Sequence, residues 1–273
     1  MGSAIQPLVS VIVPTKNEAH HIVDCLKSIK NQTYKNIEVI IVDQSSTDNT
    51  KELAKKHGAY VINRPAPKFY SPPSTSRNVG AKLAKGSILY HLDADMQLSK
   101  NLINEAVELF NSTEFVALAV HEKDIADSFW TKCKAFERRC YWNNINLQAA
   151  RIVKAEVFKA VGGYDETIES GEDFYIDKQY KQYGSTAICK NTVRHDLKGL
   201  KFKKMLTKKY NYGKTGSSYF IKSQQSGAHI VKLQLLSYIR NLPRFIAHPL
   251  QGAGMLLLRG LEISFGIAGM RNN

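Results

Sequence analysis

Hydrophobic and polar positions alternate along the first hundred residues in two rhythms. Residues 8–13 are a short apolar run rich in Val and Ile, the pattern of a strand buried on both faces. Asn17 is placed to cap the helix that follows, with Glu18 in its first turn and Ile22, Cys25, Leu26 and Ile29 at helical spacing. Residues 37–42 read as a second buried strand. Ser45 or Ser46 can cap a helix running to about His57 and closed by Gly58. Residues 60–62 are a third strand, and residues 64–74, with four prolines, must be a loop. A helix over residues 75–85 is stopped by Gly86, and residues 88–92 form a fourth strand ending in Asp93. Strands alternating with helices predict an α/β fold with a mostly parallel sheet flanked by helices.

The second half has a different texture. The pattern predicts a helix over residues 101–110 capped by Ser99, a strand over residues 115–120 and a short strand over residues 187–193. Residues 124–142 carry Phe129, Trp130, Phe136, Tyr141 and Trp142 among basic residues, which fits either an ordinary amphipathic helix or a membrane-facing or lid helix. Two apolar but interrupted segments close the chain, at residues 229–242 and 250–268. Arg259, Glu262 and several glycines break the second, so neither offers the ~18 uninterrupted apolar residues of a spanning helix. A basic, amphipathic helical C-terminal extension lying in a membrane plane is the expectation.

Charge sharpens that expectation. The net charge is +14, and between Arg194 and Arg240 eleven Lys or Arg face a single acid, Asp196. Most of the excess is therefore concentrated in one stretch, which calls for an anionic partner or a solvated face. Hydrophobic residues at 43% and a mean hydropathy of −0.30 argue for a globular chain rather than a bundle of spans. The four cysteines form no CxxC pair and read as reduced packing residues of a cytosolic protein. No basic-then-apolar signal opens the sequence, and export is not expected.

Candidate chemistry gathers where the predicted strands end. In open α/β sheets ligands bind beyond the carboxyl ends of the strands. Pro14-Thr15-Lys16-Asn17-Glu18 ends the first strand, Asp43-Gln44-Ser45-Ser46 the second, and Asp93-Ala94-Asp95 the fourth. Neither GxGxxG nor GxxxxGK[ST] is present, which excludes dinucleotide-binding and phosphate-loop enzymes of those types. Two carboxylates flanking one residue can hold a hard divalent cation, although a solvated turn gives the same pattern. Gln97, two positions after Asp95, stands against a haloacid-dehalogenase reading.

Residues 9–32, 37–50, 74–95 and 161–184 together resemble the successive blocks of family 2 glycosyltransferases. The resemblance covers roughly residues 7–196 and is looser beyond. It implies the GT-A nucleotide-diphospho-sugar transferase fold and an inverting mechanism. It also implies a division into residues 1–197, with a nucleotide-sugar half at 1–98 and an acceptor half at 99–197, followed by the extension 198–273. Carried over residue by residue, Pro14, Thr15, Asn17, Glu18, Asp43 and Ser45 would line the nucleoside pocket. Ser76, Arg77 and Asn78 would pass the base and diphosphate. Asp93 would contact the ribose or the metal, and Asp95 would ligate Mg2+ or Mn2+. Asp173 would be the catalytic base, with Glu172 in reserve, and His195 would approach the metal or the diphosphate. Tyr210 to Gly216 would form a loop closing over the donor. The QxxRW motif of processive members is absent, so one transfer per binding event is expected.

The expected partners are a UDP- or GDP-sugar donor, a lipid-linked or other glycan acceptor, and a membrane surface, with the chain peripheral at the cytoplasmic face of the cell membrane. Polyprenyl phosphate is the alternative acceptor. A nucleic-acid-binding protein would share the charge, but Phe202, Tyr210, Tyr212, Tyr219 and Phe220 match no RNA-binding signature. No nucleic acid partner is expected.

Overall fold

The computed structural model describes residues 6–65, 72–112, 114–215, 217–223 and 227–271. By internal contacts the chain forms two compact units. One comprises Met1–His121, Ala149–Glu166 and Ile176–Arg194; the other comprises Glu122–Gln148, Thr167–Tyr175 and His195–Asn273.

In chain order the elements are β1 (Val9–Thr15), α1 (Ile22–Lys30), β2 (Ile37–Asp43), α2 (Thr50–Lys56), β3 (Tyr60–Asn63), α3 (Pro73–Leu83) and β4 (Ile88–His91). Then come β5 (Met96–Leu98), α4 (Leu102–Ser112), β6 (Phe115–Ile125) and α5 (Phe129–Cys140). β7 (Ala150–Lys154), α6 (Ala155–Ala160), α7 (Glu172–Tyr180) and β8 (Ser185–Asp196) follow. The sheet runs in the order β3-β2-β1-β4-β7-β6-β8-β5. β3, β2, β1 and β4 are mutually parallel, and β7 is antiparallel to both β4 and β6.

The sequence has apolar runs here because both faces of the parallel half are covered. Val9, Val11, Val13 and Tyr90 pack into one cluster with α1 and α4; Ile12 and Leu89, pointing the other way, pack with Val157, Phe158 and Tyr164. Ile12 and Val13 are fully buried, each worth about 1.5–3 kcal/mol on the usual area scale. Gly80 on α3 lies directly against Ile12, where a Cβ would collide with its side chain.

Several local expectations give way. Asn17 does not cap α1. It sits at φ 57°, its side chain accepts from Thr47 N (2.9 Å), and the helix starts at Ile22 behind a turn over Glu18–His21. Neither Ser45 nor Ser46 caps α2, which begins at Thr50 with Asp48 accepting from Thr50 N (3.1 Å). A polar side chain at a strand end can satisfy a neighbouring loop as readily as a helix terminus, and here the loops win. α3 starts two residues early because Pro73 has the fixed φ suited to a first helical position. Of the Pro-rich insert, Phe69 and Tyr70 lie outside the described residues.

The second unit holds α5, α8 (Phe202–Thr215), α9 (Ser217–Ser223), α10 (Gly227–Arg240), α11 (Leu242–Ala247) and α12 (Pro249–Arg271). Residues 124–142 are not one helix: β6 extends to Ile125, and Ser128 starts α5 through a reciprocal cap with Thr131. The aromatic residues of α5 mostly face inward, as in an ordinary amphipathic helix. Phe136 and Cys133 pack with Met205, Tyr238, Met255 and Leu258, and Trp130 stacks on Phe202 at 4.4 Å. Tyr210 to Thr215 are the last turns of α8 rather than a loop, and Gly216 lies outside the described residues. Gly213 lets α8 approach α12 so closely that a Cβ there would strike the carbonyl of Gly266.

Salt links tie α12 into this unit. Lys134 Nζ reaches both Glu262 oxygens (3.0 Å) and Glu137 Oε2 (2.9 Å), while Tyr141 and Tyr238 hydroxyls donate to Glu137 Oε1 at 2.7 and 3.0 Å. Contrary to the expectation for residues 250–268, α12 is long and apolar enough to cross a membrane by length and composition alone.

Candidate active site

Parallel register brings the strand ends of the first unit together. Thr15, at the end of β1, is paired with Asp43, at the end of β2, and Ile12 is paired with His91, at the end of β4. Asp93 therefore follows β4 at the same edge, two strands from Asp43, or roughly 10 Å at the usual strand spacing.

Asp43 is fully buried and accepts from Thr15 Oγ1 (3.0 Å), Ser46 Oγ (2.5 Å) and Ser46 N (2.8 Å). Its visible work is to lock the ends of β1 and β2 together. The loop after β1 is then pinned to the loop after β2: Asn17 N donates to Ser46 Oγ (2.8 Å), and Glu18 N to Thr50 Oγ1 (2.8 Å). Ser45 takes φ 52° and its hydroxyl donates to Arg64 O (3.0 Å). Pro14 lies between the paired ends in β1. This set forms a rigid floor at the carboxyl edge.

Asp93 sits between two guanidinium groups. Oδ1 accepts from Arg77 Nη2 (2.8 Å), and Oδ2 accepts from Arg151 Nη1. Burial alone would raise its pKa, but Arg151 and Arg77 outweigh burial and hold the carboxyl well below the usual range. Arg77 is itself buried and lies over the Tyr164 ring at 5.3 Å. Arg151 was not singled out in the sequence. It lies on β7, which runs antiparallel to β4 with Tyr90 opposite Ile152, so its neighbour Arg151 falls beside the end of β4. A lone Arg among small residues gives no local signal.

Asp95 is half-buried. Glu18 is close enough to feel it: burial first, then the charges of Asp95 and Asp93, raise the Glu18 pKa against the opposing hydrogen bond from His21. Ser76 is buried and accepts from Gln44 Nε2 (2.9 Å). Asn78 is occupied structurally. It donates to Tyr164 O (2.8 Å) and Glu166 Oε1 (2.9 Å) and accepts from Tyr164 N (2.9 Å), fastening the Gly162-Gly163 turn. His91 is buried against Phe158 and Tyr164, and neither ring nitrogen has a partner among the described residues. Burial, and then Arg77 and Arg151, push its pKa well below the ordinary value, so it is neutral.

In the second unit Asp173 is buried and Glu172 half-buried in the first turn of α7, directly after Gly171 at φ 86°. The Tyr219 ring packs so closely on Gly171 that a Cβ would crowd it. His195, at the end of β8, points Nδ1 at Asp124 Oδ1 (3.0 Å) and Glu122 Oε2 (3.4 Å). Among the described residues, Glu122, Asp124 and His195 are the one group of three His, Cys, Asp or Glu close enough to share an ion. Arg138 already bridges the two acids, with Nε on Asp124 Oδ2 at 2.9 Å and a second contact to Glu122, so a guanidinium fills the cation's role there. For the strand-end acids, Asp95 offers the oxygen donor a hard divalent ion prefers, whereas the two arginines on Asp93 repel a second cation.

Residues 10–164 match the family model described as glycosyl transferase family 2. The chain is a family 2 glycosyltransferase. It is thus an enzyme that transfers a sugar from a nucleotide sugar. It is 25% identical over 285 residues to glycosyltransferase AglE of Haloferax volcanii, covering 94% of this chain and 90% of that relative. It is 25% identical over 222 residues to the chondroitin synthase of Escherichia coli, covering 76% of this chain but only 32% of that much longer protein. Among solved structures it resembles the mannosyltransferase PcManGT of Pyrobaculum calidifontis in complex with GDP-Man and Mn2+. The TM-score is 0.64 at 19% identity, covering 99% of this chain and 88% of that one. The S. aureus TarS 1-349 structure in complex with UDP-GlcNAc gives a TM-score of 0.57 at 19% identity, covering 74% and 65%. These likenesses establish the GT-A-type fold of this glycosyltransferase.

Proposed function

We propose that this glycosyltransferase uses a UDP- or GDP-sugar, inverts the anomeric centre, and delivers the sugar to a lipid-linked or other glycan hydroxyl at the cytoplasmic face of a membrane. The observation that carries the reading is the gathering of Thr15, Asp43 and Asp93 at one sheet edge, with two arginines beside Asp93. Pro14, Thr15, Asn17, Glu18, Asp43 and Ser45 frame the nucleoside end, and Ser76, Arg77 and Asn78 form the segment that passes the base and diphosphate. Arg77 and Arg151 carry one more positive charge than Asp93 neutralises, which suits a diphosphate. PcManGT with GDP-Man and Mn2+ and TarS with UDP-GlcNAc support a nucleotide-sugar donor without choosing the base.

Asp95 is the residue to hold Mg2+ or Mn2+, with Asp93 acting mainly on the arginines. Bound there, a divalent ion would neutralise charge on the departing diphosphate as a Lewis acid. Asp173 accepts the acceptor hydroxyl's proton as the oxygen attacks the anomeric carbon opposite the leaving diphosphate, with Glu172 in reserve. His195, held by its Nδ1 against Asp124, approaches the metal or the diphosphate.

A thermal-shift screen of UDP- and GDP-sugars with and without Mn2+ tests the reading. At donor concentrations near one hundred times Kd, stabilisation is about 2.7 kcal/mol, or roughly 5–10 °C in Tm. Shifts that appear with every nucleotide sugar equally, or with none, would remove its basis.

A further inference from the structure

Three arginines of the helical unit line one cavity. It has a volume of about 180 Å³, more than ten times the ~15 Å³ that one water requires. Arg139 and Trp142 line it from the end of α5, Arg240 and Arg244 from α10 and α11, and no acid contributes to its wall. None of the three arginines pairs with a carboxylate among the described residues. Glu137, one turn back on α5, is already held by Lys134 and two tyrosines. The walls are fixed: Asn144 Nδ2 donates to Ser237 Oγ (3.1 Å), and Asn241 Nδ2 donates to Cys140 O (3.1 Å) and Ser237 O (2.8 Å). Three like charges around one cavity repel each other unless an anion sits among them.

The exposed faces of α10, α11 and α12 identify the anion. Ile239, Leu242 and Ile246, on α10 and α11, are 61%, 53% and 80% exposed, and Leu250 and Leu257 on α12 are 74% and 57% exposed. Leu256, Ile263, Ile267 and Met270 recur on α12 at intervals of seven, four and three, all exposed. From residue 227 to 271 the only acid is Glu262, and it is buried. The exposed surface of these helices is thus apolar and basic, complementary to an anionic bilayer surface. A spanning orientation does not fit. α12 packs along α8, which carries Lys203, Lys204, Lys208 and Lys214, and meets Lys134 of α5 at Glu262. Spanning would carry those charges into hydrocarbon.

We propose that the cavity lined by Arg139, Arg240 and Arg244 binds the phosphate of a membrane-lipid headgroup while the apolar faces of α10–α12 lie in the bilayer interface. The inference deepens the membrane-surface reading given above, and its test uses neither donor nor turnover. A null result here therefore leaves the transferase assignment standing.

The full chain is co-sedimented with phosphatidylcholine vesicles, with the same vesicles containing phosphatidic acid, and with inorganic phosphate as competitor. The wild type should pellet with the phosphatidic acid vesicles, more strongly at low salt, and not with phosphatidylcholine alone. The triple variant Arg139→Gln/Arg240→Gln/Arg244→Gln should bind about 100-fold more weakly, roughly a factor of five per arginine. Its unchanged Tm would confirm folding. Ile246→Ser with Leu250→Ser, both exposed, should weaken vesicle binding without altering Tm. Equal pelleting of wild type and triple variant would overturn the phosphate site. Stabilisation by inorganic phosphate without vesicle binding would overturn the lipid assignment, as would self-association through the apolar face in place of vesicle binding.

Discussion

Asp93→Asn is the most informative single change, because the carboxylate is shared by two arginines from different parts of the chain. Arg77 Nη2 reaches Oδ1 at 2.8 Å with the Arg77 side chain 3% exposed, and Arg151 reaches Oδ2 with its side chain 20% exposed. Hydrogen bonds to charged groups contribute about 1.5–3 kcal/mol each. The amide keeps one acceptor oxygen, so one bond and the charge are lost. Asp93 is 29% exposed, so water repairs part of the damage. The net cost should be about 2–3 kcal/mol, or roughly 4–12 °C in Tm for a chain of this size. Circular-dichroism melts of Asp93→Asn, Arg151→Gln and the double variant measure it. In the cycle the two changes should be non-additive by at least about 1 kcal/mol. Strict additivity, with Tm falling by less than about 2 °C for Asp93→Asn, would refute the shared-carboxylate account.

Other consequences are equally direct. Glu137 is buried, and although burial works against it, Lys134 and Arg259 hold its pKa down to about 2 from 4.5. A depressed carboxyl pKa means its contribution is whole above about 4.5 and is lost as pH falls toward 2. Acid melts should show about 3 kcal/mol disappearing over that window, and Glu137→Gln should flatten the acid limb while lowering stability at neutral pH. Gly269→Ala should destabilise the helical unit by about 1–3 kcal/mol in urea titration, because the new Cβ meets the backbone carbonyl of Tyr210. Asp173→Asn should abolish transfer while leaving nucleotide affinity by calorimetry within about twofold, and Asp95→Asn should weaken Mn2+-dependent nucleotide binding at least tenfold with little change in Tm. Loss of nucleotide affinity in Asp173→Asn would remove it from the base role.

The candidate site was legible in part because its acids lie close together in the chain. Asp93 and Asp95 stand together after a buried strand, and Arg77 lies inside a recognisable block, so the sequence marks all three. Arg151 carries no such mark. It reaches Asp93 only because β7 pairs antiparallel with β4, and no spacing in the chain encodes that pairing. The same holds for Asn78, whose side chain serves the turn at Gly162-Gly163 rather than open solvent, and for Arg138, which bridges Glu122 and Asp124. Local capping rules failed at Asn17 and Ser45, where positive φ and cross-loop hydrogen bonds take the polar groups that a helix terminus would otherwise use.

Local sequence pattern was enough to show the alternation of buried strands and helices, the clustering of polar residues where the strands end, and the basic character of the C-terminal third. Each of these follows from periodicity and charge over a few neighbouring residues. Three-dimensional packing alone sets which strands lie side by side, which arginines face a carboxylate and which face a cavity, and that residues 122–148 join the C-terminal helices in one compact unit. Those outcomes depend on pairings between residues tens to more than a hundred positions apart. Such pairings are set by packing of whole elements, and the local pattern carries no record of them.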